Sequence, residues 1–389
     1  MKFSCKTPDI LQALQLVSRA ISNQQALPIL GNILFQVEGK RCTVSATDLE
    51  LSIITSFEAN VENEGSITVP AKAILNFAQY NSDPEVLLET SEGTQLRCTS
   101  RRSKTLIAGE AATEYPTIPG VERKNSFILE AEPLLTALHL VTFASAKTSL
   151  RPVLSGVYLR AEKGGLVLVA TDSYRLSEYK LRADIGGEEL SCIIPVKVLD
   201  ELRSVLALRK APRKTETEKE EKDTKKDHTT PATVEVTLNS QQIELHIGST
   251  RLLSRLIEGR FPDYQQILPK SEGTAAILTV RELSTVVKRM HYFAKEVNNN
   301  LTFTFGDGQA HITTPQTPLG RDEATIGAEV IGKQSKIALS SSYLLDFLGH
   351  LEEENVKVMV EDSMHPAVFR LPNNDVFLHL IMPLRMQEE

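Results

Sequence analysis

The segment Pro28-Ile29-Leu30, followed by Ala46-Thr47-Asp48, decides the fold because it occurs in the chain twice. Its second copy is Pro152-Val153-Leu154 followed by Ala170-Thr171-Asp172, and the interval from Pro to Thr is 19 residues in both. Self-similarity at a fixed spacing is typical of repeat architectures. The chain is therefore expected to consist of copies of one structural unit.

The opening of this unit occurs three times. In each copy, an apolar residue of the predicted strand is followed eight residues later by a leucine of the predicted helix. The pairs are Phe3 and Leu11, Phe127 and Leu135, and Ala275 and Leu283. The first two copies start 124 residues apart and the last two 148 residues apart. The difference is explained by a charged stretch of 25 residues, Arg209 to Thr233, whose removal leaves 123. Three units of one length, with one insertion, are predicted.

Hydrophobic periodicity indicates the architecture of each unit. A strand leads into an amphipathic helix, and a later strand leads into a shorter helix that starts near Ala71, Val196 and Ser341. Alternating runs between them are typical of short strands. The predicted class is α+β, with three tandem repeats of a two-helix, antiparallel-sheet unit. Domain boundaries are predicted at 1–123, 124–271 and 272–389, with a charged insertion at 209–233.

The sequence allows more specific predictions for the insertion and for the first helix of the third copy. The insertion has eight basic and six acidic residues and no apolar periodicity, so a solvated disordered loop is favoured over a phosphate-binding segment. In the helix, Leu283, Val286, Val287 and Met290 form one apolar face. Thr279 and Glu282 have the spacing of a capping box.

Composition narrows the functional classes. The chain has 389 residues, 41% of them hydrophobic, and four cysteines without a CxxC pair, which favours buried thiols in the cytoplasm. Neither a signal peptide nor an apolar run of 18 residues is found in the sequence. The net charge of −7 argues against a uniformly basic nucleic-acid binder, although one face can still be basic.

Sequence motifs of catalysis are missing. The chain has no GxxxxGK[ST], HExxH or GxSxG sequence. Asp48 and Asp172 could form a metal-binding carboxylate pair, as in a hydrolase or nuclease. Because they occupy the same place in two repeats, Asx turns that end a strand are favoured. A repeat-built surface protein is a further alternative, which a secretion signal would indicate.

Basic residues recur on the polar faces of the predicted helices. Such a face binds phosphates without reading bases, although ordinary solvated helix faces give the same pattern. The candidate DNA-facing residues are Lys72, Lys147, Arg151, Lys197, Arg203, Arg281, Lys288, Arg289 and Lys295.

Four segments resemble the signatures of the bacterial β sliding clamp family. They are Leu27-Pro28-Ile29-Leu30-Gly31-Asn32, Ala170-Thr171-Asp172-Ser173-Tyr174-Arg175-Leu176, Gly259-Arg260-Phe261-Pro262-Asp263-Tyr264 and Leu380-Ile381-Met382-Pro383-Leu384-Arg385-Met386. The resemblance covers the whole chain except the insertion. Ser173 departs from it, because the family often has Gly at this position.

The resemblance implies the DNA clamp fold and a head-to-tail homodimer that forms a ring around duplex DNA. Such a clamp is not an enzyme, needs no cofactor or metal, and holds DNA topologically without sequence specificity. It tethers the replicative DNA polymerase and so confers processivity. Further implied partners are the clamp loader and the repair and translesion polymerases, in the cytoplasm.

Two protein-binding sites are implied by the same resemblance. Tyr292 and Phe293 would lie at the dimer interface, although Phe293 could instead belong to the core. A pocket for the partners' short peptide motif would lie between the second and third domains, although its C-terminal segment could be simply the last core strand. Its residues would be Leu154, Thr171, Tyr174, Arg175, Leu176, Pro262, Ile267, Met364, Pro366, Ile381, Met382, Pro383, Leu384 and Met386.

Overall fold

The structure, a computed structural model, describes residues 1–22, 27–91, 94–121, 125–148, 150–186, 190–210, 232–269, 271, 273–372 and 374–386. They form two compact units. Unit 1 comprises Met1–Ala131 and Lys197–Leu256, and unit 2 comprises Glu132–Val196 and Ile257–Glu389. Residues 211–231 of the charged insertion lie outside the described residues. The prediction of a loop over 209–233 is wrong at both ends, because the helix Val196–Lys210 includes Arg209 and the strand Thr233–Leu238 begins at Thr233.

Two α-helices occur in the described part of each repeat, as predicted. The prediction that the second helix is the shorter one is wrong for the second repeat, where the first helix has 11 residues and the second has 15. In the first repeat and in the third repeat, the first helix is the longer one, and it packs against the second helix of the same repeat. The helices are α1 (Thr7–Val17), α2 (Ala71–Gln79), α3 (Ala131–Val141), α4 (Val196–Lys210), α5 (Val280–Ala294) and α6 (Ser341–Leu348).

The strands alternate with these helices along the chain, and every pair of neighbouring strands is antiparallel. In the first repeat the strands are β1 (Lys2–Lys6), β2 (Asn32–Glu38), β3 (Arg41–Thr47), β4 (Leu51–Glu58), β5 (Asn60–Asn63), β6 (Gly65–Pro70), β7 (Glu85–Ser91), β8 (Gln95–Thr99) and β9 (Lys104–Ala108). In the second they are β10 (Asn125–Glu130), β11 (Gly156–Glu162), β12 (Gly165–Thr171), β13 (Arg175–Arg182), β14 (Ser191–Pro195), β15 (Thr233–Leu238), β16 (Gln242–Ile247) and β17 (Thr250–Arg255). In the third they are β18 (Thr274–Thr279), β19 (Asn300–Gly306), β20 (Gln309–Thr313), β21 (Glu323–Gly327), β22 (Glu329–Ile331), β23 (Ser335–Ser340), β24 (Asn355–Val360), β25 (Ala367–Leu371) and β26 (Asn374–Ile381).

Unit 1 contains two sheets. The five-stranded sheet has the order β5-β1-β7-β8-β9, and the eight-stranded sheet has the order β10-β15-β16-β17-β4-β3-β2-β6. In the second sheet β17 pairs with β4, with Leu252 opposite Ile53. A strand of the second repeat thereby continues the sheet of the first.

Unit 2 contains the corresponding pair of sheets. The nine-stranded sheet has the order β14-β11-β12-β13-β26-β25-β24-β18-β22, and the four-stranded sheet has the order β21-β20-β19-β23. Here β13 of the second repeat pairs with β26 of the third, with Arg175 opposite Ile381 and Ser177 opposite His379. Backbone hydrogen bonds between strands therefore connect the second and third repeats, as they connect the first and second.

The core of unit 2 lies between helices α5 and α6 and the sheets. The predicted apolar face of α5, from Leu283 to Met290, is buried and packs with Phe303, Phe347 and Phe377. The predicted capping box is wrong, because the Thr279 side chain makes no capping hydrogen bond to the helix and instead donates to Asn355 Oδ1 at 3.4 Å. The neighbouring strand β24 supplies a competing acceptor for this hydroxyl.

A fully buried histidine lies where β13 pairs with β26 in unit 2. His379 Nδ1 is 2.7 Å from Ser177 Oγ, and its ring stacks on Phe347 with centroids 4.4 Å apart. Burial, together with the charges of Arg175 and His350, holds the pKa of His379 well below the ordinary value of 6.5.

We predict that this histidine makes unit 2 sensitive to acid. The unfolded chain binds a proton at His379 below about pH 6.5 whereas the folded chain does not, so stability from this residue is present above that pH and falls below it. The loss is about 1.4 kcal/mol per pH unit. The double variant Ser177→Ala/His379→Leu lacks the pH-dependent part of the unfolding free energy that comes from His379. Calorimetric unfolding of both proteins between pH 7.5 and 5.5 measures it, and equal pH slopes would contradict the prediction.

Candidate functional site

The turn between β12 and β13 positions the residues of the predicted peptide pocket. Asp172 Oδ1 accepts hydrogen bonds from the backbone N–H groups of Tyr174 and Arg175, and Thr171 Oγ1 accepts one from Ser173. Ser173 has a φ of 82°, in the left-handed region that favours glycine. A glycine at this position would adopt the same backbone conformation without the steric cost that the serine Cβ brings.

The same turn occurs in the first repeat. Asp48 Oδ1 accepts hydrogen bonds from the N–H groups of Glu50 and Leu51, and Leu49 has a φ of 75°. The predicted structural role of both aspartates, an Asx turn at the end of a strand, is therefore confirmed. Among the described residues no group of His, Cys, Asp or Glu side chains is arranged to hold a metal ion.

Arg175 is the buried centre of the pocket region, with only 5% of its surface exposed. Its guanidinium donates to Asp172 Oδ2 at 3.1 Å, to Asp346 Oδ2 at 2.6 Å and to the carbonyl oxygen of Phe143 at 2.9 Å. It also lies 5.0 Å from the centroid of the Tyr343 ring. Because a planar guanidinium satisfies all these partners, Arg175 holds the turn, α6 and the segment after α3 together.

The predicted pocket residues separate into a buried floor and an exposed rim, all within unit 2. Leu154 and Leu176 belong to an apolar cluster with Tyr264, Val368 and Leu380 on one side of the nine-stranded sheet. The floor consists of Leu154, Thr171, Arg175, Leu176, Pro366 and Ile381, which are buried. The rim consists of Tyr174, Pro262, Ile267, Met364 and Met386, which are exposed, and of Met382, Pro383 and Leu384, which are half-buried.

The C-terminal segment leaves the sheet at the pocket. Strand β26 ends at Ile381, so the alternative that residues 381–386 form a core strand holds for Ile381 alone. Beyond it, Met382 N–H donates to the Tyr174 carbonyl and Leu384 N–H to the Ala338 carbonyl. Two backbone anchors thus hold an apolar segment at the surface rather than in the core.

Sequence reasoning missed three residues of this region. The Tyr343 ring stacks on the exposed Tyr174 ring with centroids 6.3 Å apart, and Asp346 and Phe143 bind Arg175. Tyr343 and Asp346 are on α6, where they fit an ordinary helix surface pattern. No local signal in the sequence distinguishes them.

The candidate DNA-facing residues differ in their charge pairing. Among the described residues Lys72, Lys147, Arg281, Lys288 and Lys295 are exposed and form no ion pair. By contrast, Lys197 pairs with Asp48 at 2.5 Å, Arg203 with Asp200 at 3.6 Å and Arg289 with Asp322 at 2.7 Å. The Arg151 guanidinium lies 3.5 Å from Ser173 Oγ, beside the pocket turn.

Tyr292 and Phe293 form an aromatic pair at the end of α5. Their rings meet edge to face with centroids 5.4 Å apart, and 64% of Tyr292 is exposed. Phe293 is half-buried and lies outside the core cluster of unit 2. Leu319 is also exposed, next to Gly320, where a Cβ atom, if one were present, would lie 3.8 Å from Phe293 Cε1.

Comparison with known proteins gives one consistent result. Models of the N-terminal, central and C-terminal domains of the DNA polymerase III beta subunit match residues 1–119, 129–263 and 265–385. The chain is 28% identical to the beta sliding clamp of Synechocystis and 26% identical to that of Staphylococcus aureus, with 99% of this chain and 99–100% of each relative covered.

Solved structures give the same fold. A DNA polymerase sliding clamp from Bacillus subtilis superposes with a TM-score of 0.90 at 24% identity, over 100% of both chains. A sliding clamp from Pseudomonas aeruginosa superposes with a TM-score of 0.89 at 25% identity, over 99% of this chain and 100% of that one.

We predict that Arg175→Ala lowers the free energy of unfolding by about 2–3 kcal/mol, because it leaves the buried partners of the guanidinium without their donor. Chemical denaturation measures the loss. The matched control is Arg321→Ala, which removes an exposed arginine 3.4 Å from an exposed Glu323. Its expected effect is about 0.5 kcal/mol or less. Equal effects of the two substitutions would contradict the structural role of Arg175.

Proposed function

The chain belongs to the DNA polymerase III beta subunit family, and from this premise we propose how its own residues perform the work of a sliding clamp. It is a DNA sliding clamp, a non-catalytic factor that gives DNA replication its processivity. The match of all three domain models, in order along the chain, is the observation that carries this conclusion. We keep the boundaries 1–123, 124–271 and 272–389 as the proposed domains.

The proposed ring is a head-to-tail dimer closed by the surface around Tyr292 and Phe293. Exposed aromatic and apolar side chains at the end of α5 give this surface the character of a protein interface. In a head-to-tail arrangement the opposing surface differs from it. We assign that role to β9, the last strand of the five-stranded sheet, which carries the exposed Leu106.

The proposed contact with DNA uses exposed cations without base readout. Arg281, Lys288 and Lys295 form a stripe on the side of α5 and its 3-10 extension away from the buried face. A clamp that slides needs phosphate contacts that are weak and independent of sequence. Lys72 and Lys147 are proposed as further contacts, with Arg151, Lys197, Arg203 and Arg289, which the structure shows beside polar or acidic partners.

The proposed partner site is the pocket of unit 2. A buried apolar floor under an exposed rim with Tyr174, Ile267 and Met364 suits the anchor side chains of a short peptide. Methionines at the rim adapt to different ligands. We propose that the replicative polymerase, the clamp loader and the repair and translesion polymerases use this site in turn, in the bacterial cytoplasm. No described helix has the length and apolarity needed to span a bilayer.

We predict that Tyr174→Ala weakens peptide binding roughly 10-fold, because it removes an exposed aromatic wall of the pocket. The probe is a fluorescein-labelled synthetic peptide carrying the clamp-binding motif of a bacterial replicative polymerase, titrated by fluorescence anisotropy. Tyr80→Ala is the matched control, because Tyr80 is a similarly exposed tyrosine in unit 1. If Tyr174→Ala binds the peptide as tightly as the wild type, the pocket assignment is wrong.

We predict that the triple variant Arg281→Ala/Lys288→Ala/Lys295→Ala binds duplex DNA more weakly, with a shallower salt dependence. Each lost phosphate contact reduces the slope of log K against log salt by about 0.9. Anisotropy with labelled duplex DNA between about 50 and 200 mM salt measures both effects. The control removes three exposed lysines of β-turns and loops, Lys40→Ala/Lys163→Ala/Lys333→Ala. Equal slopes for the two variants would refute the proposed DNA-facing stripe.

A further inference from the structure

A second pocket, of about 430 Å³, lies on the nine-stranded sheet of unit 2. Side chains from β13, β24, β25 and β26 line it, together with the segment that contains Leu268 and Pro269. We call it the cationic pocket, because Lys180, Lys357 and Arg370 lie around it. None of the residues predicted for the peptide site lines it.

The floor of the cationic pocket is continuous with the peptide pocket. Met359, Val368 and Leu378 line it and belong to the same apolar cluster as Leu154 and Leu176 of the peptide pocket. Met359 and Val368 are direct cross-strand partners on β24 and β25. The two pockets therefore share one buried apolar cluster beneath them.

Two of the three cations of the cationic pocket, Lys180 and Arg370, are available to an anionic ligand. Lys357 and Arg370 are direct cross-strand partners, so two cationic side chains lie next to each other at this pocket. Lys180 adds a third cation, while Glu361 and Asp375 supply two carboxylates. Within the described chain neither Lys180 nor Arg370 forms an ion pair. An anionic ligand would gain charge-assisted hydrogen bonds from Lys180 and Arg370.

The distance between the two pockets suits one continuous peptide. Leu176 and Lys180 are four residues apart on β13 and therefore point to the same face. At about 3.3 Å per residue, this separation is about 13 Å. An extended peptide covers it with about four residues.

We propose that the cationic pocket is an auxiliary part of the peptide site and binds an acidic side chain of the partner, about four residues from the motif that fills the main pocket. The proposal rests on the peptide-binding function proposed above. An acidic flank fits the cations, and the aliphatic part of that flank fits the floor formed by Met359 and Val368. Partners with and without such a flank would then differ in affinity for the same clamp.

The test compares peptides that differ only in this flank. The motif peptide is synthesised with two aspartates four residues before or four residues after the motif, and matched peptides carry two asparagines there. We expect one of the two aspartate peptides to bind the wild type roughly 3- to 10-fold more tightly than its asparagine match. We expect this difference to shrink as salt is raised.

The variant Lys180→Ser/Arg370→Ser distinguishes binding of the flank in the cationic pocket from attraction by the overall charge of the protein. It should abolish the difference between aspartate and asparagine peptides while leaving the affinity of the asparagine peptides unchanged, which also shows that the pocket remains folded. The control variant Arg321→Ser/Lys333→Ser removes two exposed cations elsewhere in unit 2 and should keep the difference.

Two results would overturn the proposal in different ways. If aspartate and asparagine peptides bind the wild type equally at both placements, the cationic pocket does not bind the flank, although the peptide pocket stands. If no peptide binds at all, the proposed peptide site itself is wrong, and the auxiliary site fails with it.

Discussion

The antiparallel pairing of strands between successive repeats is the interaction on which the remaining structure depends. One repeat alone would leave β4 or β13 as an exposed edge with unsatisfied backbone groups. Pairing of β17 with β4 and of β13 with β26 removes these edges and makes one sheet out of two repeats. The second of these joints also places Arg175 opposite Ile381, so the two sides of the peptide pocket come together only because the sheets are continuous.

Much of the fold follows from local patterns, which the sequence displays directly. The apolar face of α5 follows from helical periodicity, and α6 begins at Ser341, where the pattern predicts it. The Asx turns at Asp48 and Asp172 were predictable because both aspartates end a strand in the same place of two repeats. Each of these features depends on neighbours a few residues away. The floor of the pocket was accessible only through resemblance to known clamps.

Features that depend on long-range register were not predictable. Arg175 and Asp346 are 171 residues apart, and Ser177 and His379 are 202 residues apart. The contact between Ser177 and His379 exists because β13 pairs with β26 in one register, and no local periodicity specifies that register. The capping box at Thr279 failed for the same reason, since Asn355 on β24 competes for the hydroxyl. The opposition of Lys357 and Arg370 likewise emerges only from strand pairing.

Closure of two chains into a ring is the central claim, because topological retention on DNA requires it. Small-angle X-ray scattering of the purified protein, without ligand and over a concentration series, tests it most directly. The expected result is a particle of about 86 kDa, twice the 43.1 kDa of one chain, whose pair-distance distribution shows a central hole. A compact particle of 43.1 kDa at all concentrations would contradict the ring.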